Sequence, residues 1–146
     1  MKRRSAGIDF SAASAPSRVE SKNIGDNVIF PRIRTDVLPD TILPGANYSV
    51  KGIYRRRGEA ALVYRIPNRT AADSWYEKGV VEGEWEQAYE RLSISSELSR
   101  AWFNNNLRAA AAEGPCNYIA IGKVFVFLGI AYYKGGKYMS RSSHAA

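Results

Sequence analysis

Pro115-Cys116-Asn117-Tyr118-Ile119-Ala120-Ile121-Gly122-Lys123-Val124-Phe125-Val126-Phe127-Leu128-Gly129 is the most hydrophobic stretch of the chain, and its reading decides the fold. A segment this apolar has to be buried, so the elements around it must supply the cover. Two readings compete. As a helix, Asn117 is the N-cap, Ile121, Val124, Phe125 and Leu128 form one apolar stripe, and Gly129 ends the element. As a hairpin, Gly122-Lys123 is a two-residue turn between Tyr118–Ile121 and Val124–Phe127, and the β-branched and aromatic content favours that form. Propensity leans towards strands, whereas cap placement and length lean towards a helix. The balance falls to the helix.

After this stretch, Tyr132-Tyr133 and Lys137-Tyr138-Met139 pair as a short hairpin around Gly135-Gly136. Before it, Trp85, Ala88, Tyr89 and Leu92 sit at i, i+3, i+4 and i+7, which predicts a helix from about Glu82 to Leu92. Glu82, Glu84 and Glu86 occupy its first turns, where the helix dipole favours negative charge, and read as a solvated face. A second helix is expected from a Ser95 or Ser96 cap through Leu98, Ala101, Trp102 and Phe103, weakened at Asn104-Asn105-Asn106.

The N-terminal half reads as β. Tyr48, Val50 and Tyr54 fall on one strand face, with Lys51 and Ile53 on the other. Ala60, Leu62, Tyr64 and Ile66 then alternate in a second strand. Arg55-Arg56-Arg57-Gly58 joins the two strands, and the three arginines are expected to be solvated at the tip. Val28-Ile29-Phe30 reads as a short strand limited by Pro31. Residues 32–46, with Pro39, Pro44 and Gly45, read as an extended loop, and residues 68–80, with Trp75 and Tyr76, as a linker.

The 146 residues fit one domain with a mobile end. Residues 1–22, rich in Ala, Ser and basic groups, form a flexible basic arm, because they cannot bury enough apolar surface to offset ordering entropy. Residues 23–146 are a single α+β domain, mainly β over 23–70 and mainly α over 80–141 with the terminal hairpin. One cysteine, Cys116, excludes an intrachain disulfide framework. No apolar run approaches the ~20 residues of a membrane helix, and the start lacks the apolar core of an export signal. The protein is read as cytoplasmic, with no membrane partner.

The net charge of +7 is segregated along the chain. Residues 71–114 carry four basic and eight acidic groups, whereas residues 115–146 carry four basic and none acidic. This suggests a basic face and an acidic face. Enzymatic chemistry has no visible site. His144, the one histidine, lies near the C-terminus, which removes Ser-His and Cys-His nucleophile pairs and histidine metal sites. There is no GxxxxGK[ST] and no GxGxxG, and no cofactor is implied.

Residues 82–141, read as helix, helix, capped hydrophobic helix and basic hairpin, resemble a winged helix. The resemblance implies that the third helix and the wing meet nucleic acid, although the third helix offers only Asn117, Tyr118 and Lys123 as polar groups. The β portion, with Val28–Phe30, resembles part of a small SH3-like barrel. The segments Tyr48–Ile53, Tyr64–Arg69, Glu84–Tyr89 and Cys116–Tyr118 resemble small uncharacterised bacterial proteins carried on mobile, integron-type gene cassettes, which implies no known activity. The expected fold is thus an N-terminal antiparallel β portion packed on a C-terminal three-helix portion that ends in a hairpin.

The leading functional expectation is a non-enzymatic protein that binds DNA or RNA through phosphate contacts from Arg55, Arg56, Arg57, Lys123, Lys134, Lys137 and Arg141. Tyr48, Tyr54, Tyr64, Tyr132, Tyr133 and Tyr138 either stack bases or pack within the sheets. The alternative is a protein-interaction or homo-oligomerising module using Trp75, Trp85 or Trp102. Because Trp85 heads the helical stripe, Trp85→Ala is expected to lower the unfolding free energy by roughly 3–5 kcal/mol in a denaturant titration. A loss below about 1 kcal/mol would place the stripe on the surface.

Overall fold

The computed structural model describes residues 27–37, 47–68, 70 and 74–141. The basic arm, the turn at Asn23–Asp26, the Pro39–Gly45 loop and His144 lie outside the described residues. The order is α1 (Phe30–Asp36), β1 (Ser49–Arg56), β2 (Glu59–Pro67), β3 (Trp75–Val81), α2 (Glu82–Ser95), β4 (Glu97–Leu98), α3 (Arg100–Asn106), α4 (Arg108–Glu113), α5 (Cys116–Phe127), β5 (Ala131–Lys134) and β6 (Lys137–Ser140). Two antiparallel three-stranded sheets, ordered β1-β2-β3 and β4-β6-β5, accompany the helices, so the fold is α+β.

The focal stretch is a helix. Ile121, Val124 and Phe125 are buried, as the stripe predicts, and Gly129 follows the helix with φ 81°. Its cap differs from the expectation. Pro115 occupies the N-cap, and Asn117 lies inside the first turn, fully buried. The Asn117 side chain accepts from the Tyr64 hydroxyl at 2.6 Å and donates to the Ala110 carbonyl at 2.9 Å and Glu113 Oε1 at 3.1 Å. It is worth more as a bridge between β2, α4 and α5 than as a cap, because a buried amide must satisfy both ends.

Both expected hairpins form. Arg57-Gly58 and Gly135-Gly136 turn them, and all four residues have positive φ, the backbone that two-residue turns between twisted strands require. The faces of β1 differ from simple alternation. The register shifts between Val50 and Gly52, where Gly52 has φ 140°, and this bulge reverses the phase of the strand. Val50 and Ile53 therefore both face the core and Tyr54 is half-exposed. A third strand, β3, occupies part of what reads as a linker. Its exposed first half, Trp75-Tyr76-Glu77, hides the pattern, and pairing with β2 from Pro67↔Trp75 to Ala61↔Val81 holds it in place.

Residues 28–30 are not a strand, so the β portion is an open three-stranded sheet among the described residues rather than part of a barrel. Pro31 stands in the first turn of α1, where its missing N–H costs nothing. The amides that precede it are satisfied from elsewhere. The Glu86 carboxylate, on α2, accepts from the backbone N–H groups of Val28 at 2.9 Å, Ile29 at 3.0 Å and Phe30 at 2.7 Å. The Asn27 amide reaches Glu82 beside it. Glu84, two residues earlier, accepts from Val81 N–H at 3.0 Å. Glu84 and Glu86 are thus buried structural acceptors, not a solvated face. The dipole argument placed them at the right end of α2, but their partners come from distant segments.

The next helix begins later than expected. Ser96 is left-handed at the end of α2, Glu97–Leu98 forms β4, and Ser99 caps α3 by accepting from Trp102 N–H at 3.1 Å. The chain breaks at Leu107 after the asparagine run, which adds α4. One continuous core joins Phe30 and Ile33 of α1, Leu62 and Tyr64 of β2, Trp85 and Leu92 of α2, and the buried side of α5.

Glu86→Gln removes the charge from three converging backbone bonds. It is expected to cost about 1–3 kcal/mol in denaturant titrations and to speed amide exchange at residues 28–30. Unchanged exchange there would mean that α1 holds its first turn without Glu86.

Candidate nucleic-acid interface

The arginines at the β1–β2 tip are largely committed. Arg57 makes two bonds to the Glu84 carboxylate, at 3.0 and 2.9 Å, and this hydrogen-bonded pairing raises its guanidinium pKa despite some desolvation. Arg56 reaches Glu113 at 2.7 Å, passing so close to Gly79 that a Cβ there would lie 2.6 Å from Arg56 Cδ. Arg55 is exposed and donates to the Gly58 carbonyl at 2.6 Å. Arg55 and Arg57 are exposed, as expected at the tip, but Arg57 is ion-paired there and Arg56 is half-buried. Charge attraction draws the basic tip onto the acidic segment 71–114.

The same attraction alters the expected charge faces. Lys51 and Arg65 both meet Glu77, at 3.2 and 3.1 Å, and these two cations hold its carboxyl below the usual range. Charge that is segregated in sequence is paired in part in space, with Arg56, Arg57, Lys51 and Arg65 all meeting carboxylates of the acidic segment.

The C-terminal cations divide between two sides of the β5–β6 hairpin. Lys134 and Lys137 are cross-strand partners in the register next to Tyr133↔Tyr138, so they project to the opposite face. Lys137 pairs with Glu97 at 3.2 Å, and the Arg141 guanidinium lies 5.5 Å from the Tyr132 ring centre. Lys134 is exposed. Lys123, on α5, lies across the other side, with its ammonium 5.8 Å from the Tyr133 ring centre.

That other side contains a cleft of about 450 Å³ between α5, the start of α3 and the hairpin. Tyr118 and Tyr138 form its floor, with ring centres 5.4 Å apart, and Tyr133 forms a wall 5.1 Å from Tyr138. Arg100 and Lys123 are the two cations of its rim, and the Arg100 guanidinium lies 4.6 Å from the Tyr118 ring centre. Among the described residues no carboxylate lines it. Glu97, whose charge reaches Tyr118, is engaged by Lys137. The Tyr118 hydroxyl is shared between the carbonyls of Leu98 at 3.0 Å and Gly136 at 3.2 Å. Sequence reasoning found Lys123 and the tyrosines but missed Arg100. Its nearest signal is Ser99, a cap that places the following residue at a helix start.

An apolar slot of about 350 Å³ lies elsewhere, lined by Ile66, Tyr76, Pro115 and Cys116, with Lys78 and Glu113 at its edge. The Cys116 thiol is half-buried beside Tyr64, whose phenol burial pushes strongly upward, helped by the thiol contact. Among the tryptophans considered for an interface, Trp85 is fully buried and Trp75 is half-exposed. Among the described residues, no group of His, Cys, Asp and Glu is placed to hold a metal ion, and no helix is long and apolar enough to cross a membrane. No family model, curated protein or solved structure matches the chain.

Desolvation pushes the phenols of Tyr118 and Tyr138 up to about 12, with Arg100 opposing it in part. Their unfolded value is 10.0, so the neutral form is favoured by folding. The stabilisation is complete below pH 10 and is lost as the pH rises towards about 12. Unfolding free energy is expected to fall over that interval, and Tyr138→Phe should flatten the fall. A wild-type profile with no fall would show that these rings are not desolvated.

Proposed function

We propose that this chain is a small non-enzymatic nucleic-acid-binding protein that holds single strands along its C-terminal hairpin and the adjoining cleft. The observation that carries this reading is the placing of cations that have no carboxylate partner among the described residues beside tyrosine rings that solvent reaches, Lys123 beside Tyr133 and Arg141 beside Tyr132, with Arg100 over the buried Tyr118 ring adding charge. Stacking surfaces beside phosphate-neutralising groups are what single-strand binding needs. Helix, strand, helices, helix and hairpin, with β4 joining the hairpin sheet, is also an order consistent with the winged-helix resemblance.

The mode differs from what that resemblance implies. Both flanks of α5 are packed, and Tyr118, Ile121, Gly122, Val124 and Phe125 are enclosed. The face that α5 leaves, Ile119, Lys123, Val126 and Phe127, carries a single polar side chain with which to read base edges in a major groove, which argues for strands rather than duplexes. A second reading, a protein-interaction or homo-oligomerising module, is favoured by Trp75 and Tyr76, consecutive on β3 and half-exposed on opposite faces of the sheet. Light scattering distinguishes it.

Anisotropy titrations with single-stranded and duplex oligonucleotides at several salt concentrations test the proposal. Single strands are expected to bind more tightly. Replacing Lys134, Lys137 and Arg141 with Ala should weaken every sequence about equally, and each lost contact should reduce the log–log salt slope by ~0.7. Lys137 should contribute least, because Glu97 already holds it. An unchanged slope in a folded triple variant would remove the hairpin from the interface.

A further inference from the structure

We infer that the cleft seats one nucleotide, with a phosphate held between Arg100 and Lys123 and the base stacked on Tyr133, so that a free nucleoside monophosphate is its minimal ligand. The inference rests on the nucleic-acid reading above and assigns that reading a specific subsite. A cavity of about 450 Å³ suits a ligand of this size.

Its chemistry is selective. Arg100 is exposed and, among the described residues, makes one long bond, 3.4 Å to the Pro115 carbonyl, which leaves most of its fork of donors to face an anion. Among the described residues Lys123 meets no carboxylate, and its ammonium rests over the Tyr133 ring. An arriving phosphate draws that ammonium off the ring, and the ring face it leaves is the one a base can occupy. Tyr133 is 57% exposed, whereas Tyr118 and Tyr138 are each 2% exposed, so only Tyr133 offers a stacking face. The space beside Gly136 at the mouth is open, since a Cβ built there would meet nothing within 4 Å.

The lining also limits specificity. Among the described residues it presents no side-chain amide and no carboxylate to read a base edge. Purine and pyrimidine monophosphates should therefore bind with similar affinity, and the phosphate should matter more than the base. A nucleoside without phosphate lacks the anion. Inorganic phosphate lacks the stacked ring.

The test is a calorimetric titration of the full chain with AMP, UMP, uridine and inorganic phosphate, together with competition of AMP against a labelled single-stranded oligonucleotide. AMP and UMP are expected to bind, to displace the oligonucleotide and to exceed both uridine and phosphate in affinity. Arg100→Gln and Lys123→Ala should each weaken AMP roughly tenfold or more, because each removes a charge-assisted contact. Tyr133→Leu should weaken AMP while leaving the response to phosphate unchanged. Arg100 is exposed, so its substitution leaves the core intact, and near-UV dichroism checks each variant.

If the oligonucleotide binds but AMP neither binds nor competes, the subsite is overturned while the function stands. Phosphate binding as well as AMP, or unaltered AMP affinity in the folded variants, overturns it as well. If AMP binds as described and no oligonucleotide does, the subsite stands and the broader function falls.

Discussion

The architecture depends on a hydrogen atom at position 122. A Cβ built on Gly122 would lie 2.1 Å from the Tyr138 ring, so any side chain there would push β6 off α5. Interiors packed to crystal-like density have no slack to absorb such a displacement. Because the Tyr138 ring lies directly on the helix backbone, β6 is fixed against α5. The pairing Leu98↔Tyr138 then draws β4, and with it the end of α2, into the second sheet. On the other side, Tyr64 of β2 bonds to Asn117 in the first turn of α5, which ties the first sheet to the same helix. A helix of this hydrophobicity is stable only when enclosed, and these two contacts supply the enclosure.

Carboxylates do the work that local caps would otherwise do. Glu86 serves the start of α1, more than fifty residues away in sequence, and Glu59 accepts from Gly83 N–H at 2.9 Å in the first turn of α2. Glu113 receives Arg56, the Asn117 amide and, through its backbone carbonyl, the Lys78 ammonium at 2.8 Å. Burying such charges is costly unless each is fully hydrogen-bonded, and here the bonds are supplied by donors from distant segments. The acidic segment therefore acts as an internal counterion for the basic hairpin. Lys123, Lys134 and Arg141 have no carboxylate partner among the described residues, and residues 115–146 hold no acidic residue of their own.

The cleft is a by-product of the same packing. Tyr138 presses on Gly122, Tyr118 is pinned by its hydroxyl between the Leu98 and Gly136 carbonyls, and Tyr133 stands outside them. Arg100 and Lys123 come from different helices and share a rim only because α3 and α5 both meet the hairpin. The proposed interface thus rests on a rigid floor, which lowers the entropic cost of holding a ligand.

Periodicity alone determined several elements: the α2 stripe of Trp85, Ala88 and Leu92, the β1–β2 hairpin, the Gly135-Gly136 turn, and an apolar segment that must be buried. These are local patterns whose period and turn residues act over a few positions. Lys123, Tyr133 and Tyr138 were legible as candidates in a basic aromatic tail. Only the tertiary structure decided the phase of β1 after its bulge, the helical state of Phe30–Asp36, the strand over Trp75–Val81 and the place of Arg100. Those outcomes turn on partners far away in sequence: Glu86 for α1, β2 for β3, and the hairpin for Arg100. The pairing of Arg56 and Arg57 with Glu113 and Glu84 has the same origin. A charge count along the chain shows which groups attract, but not which of them the fold brings within reach.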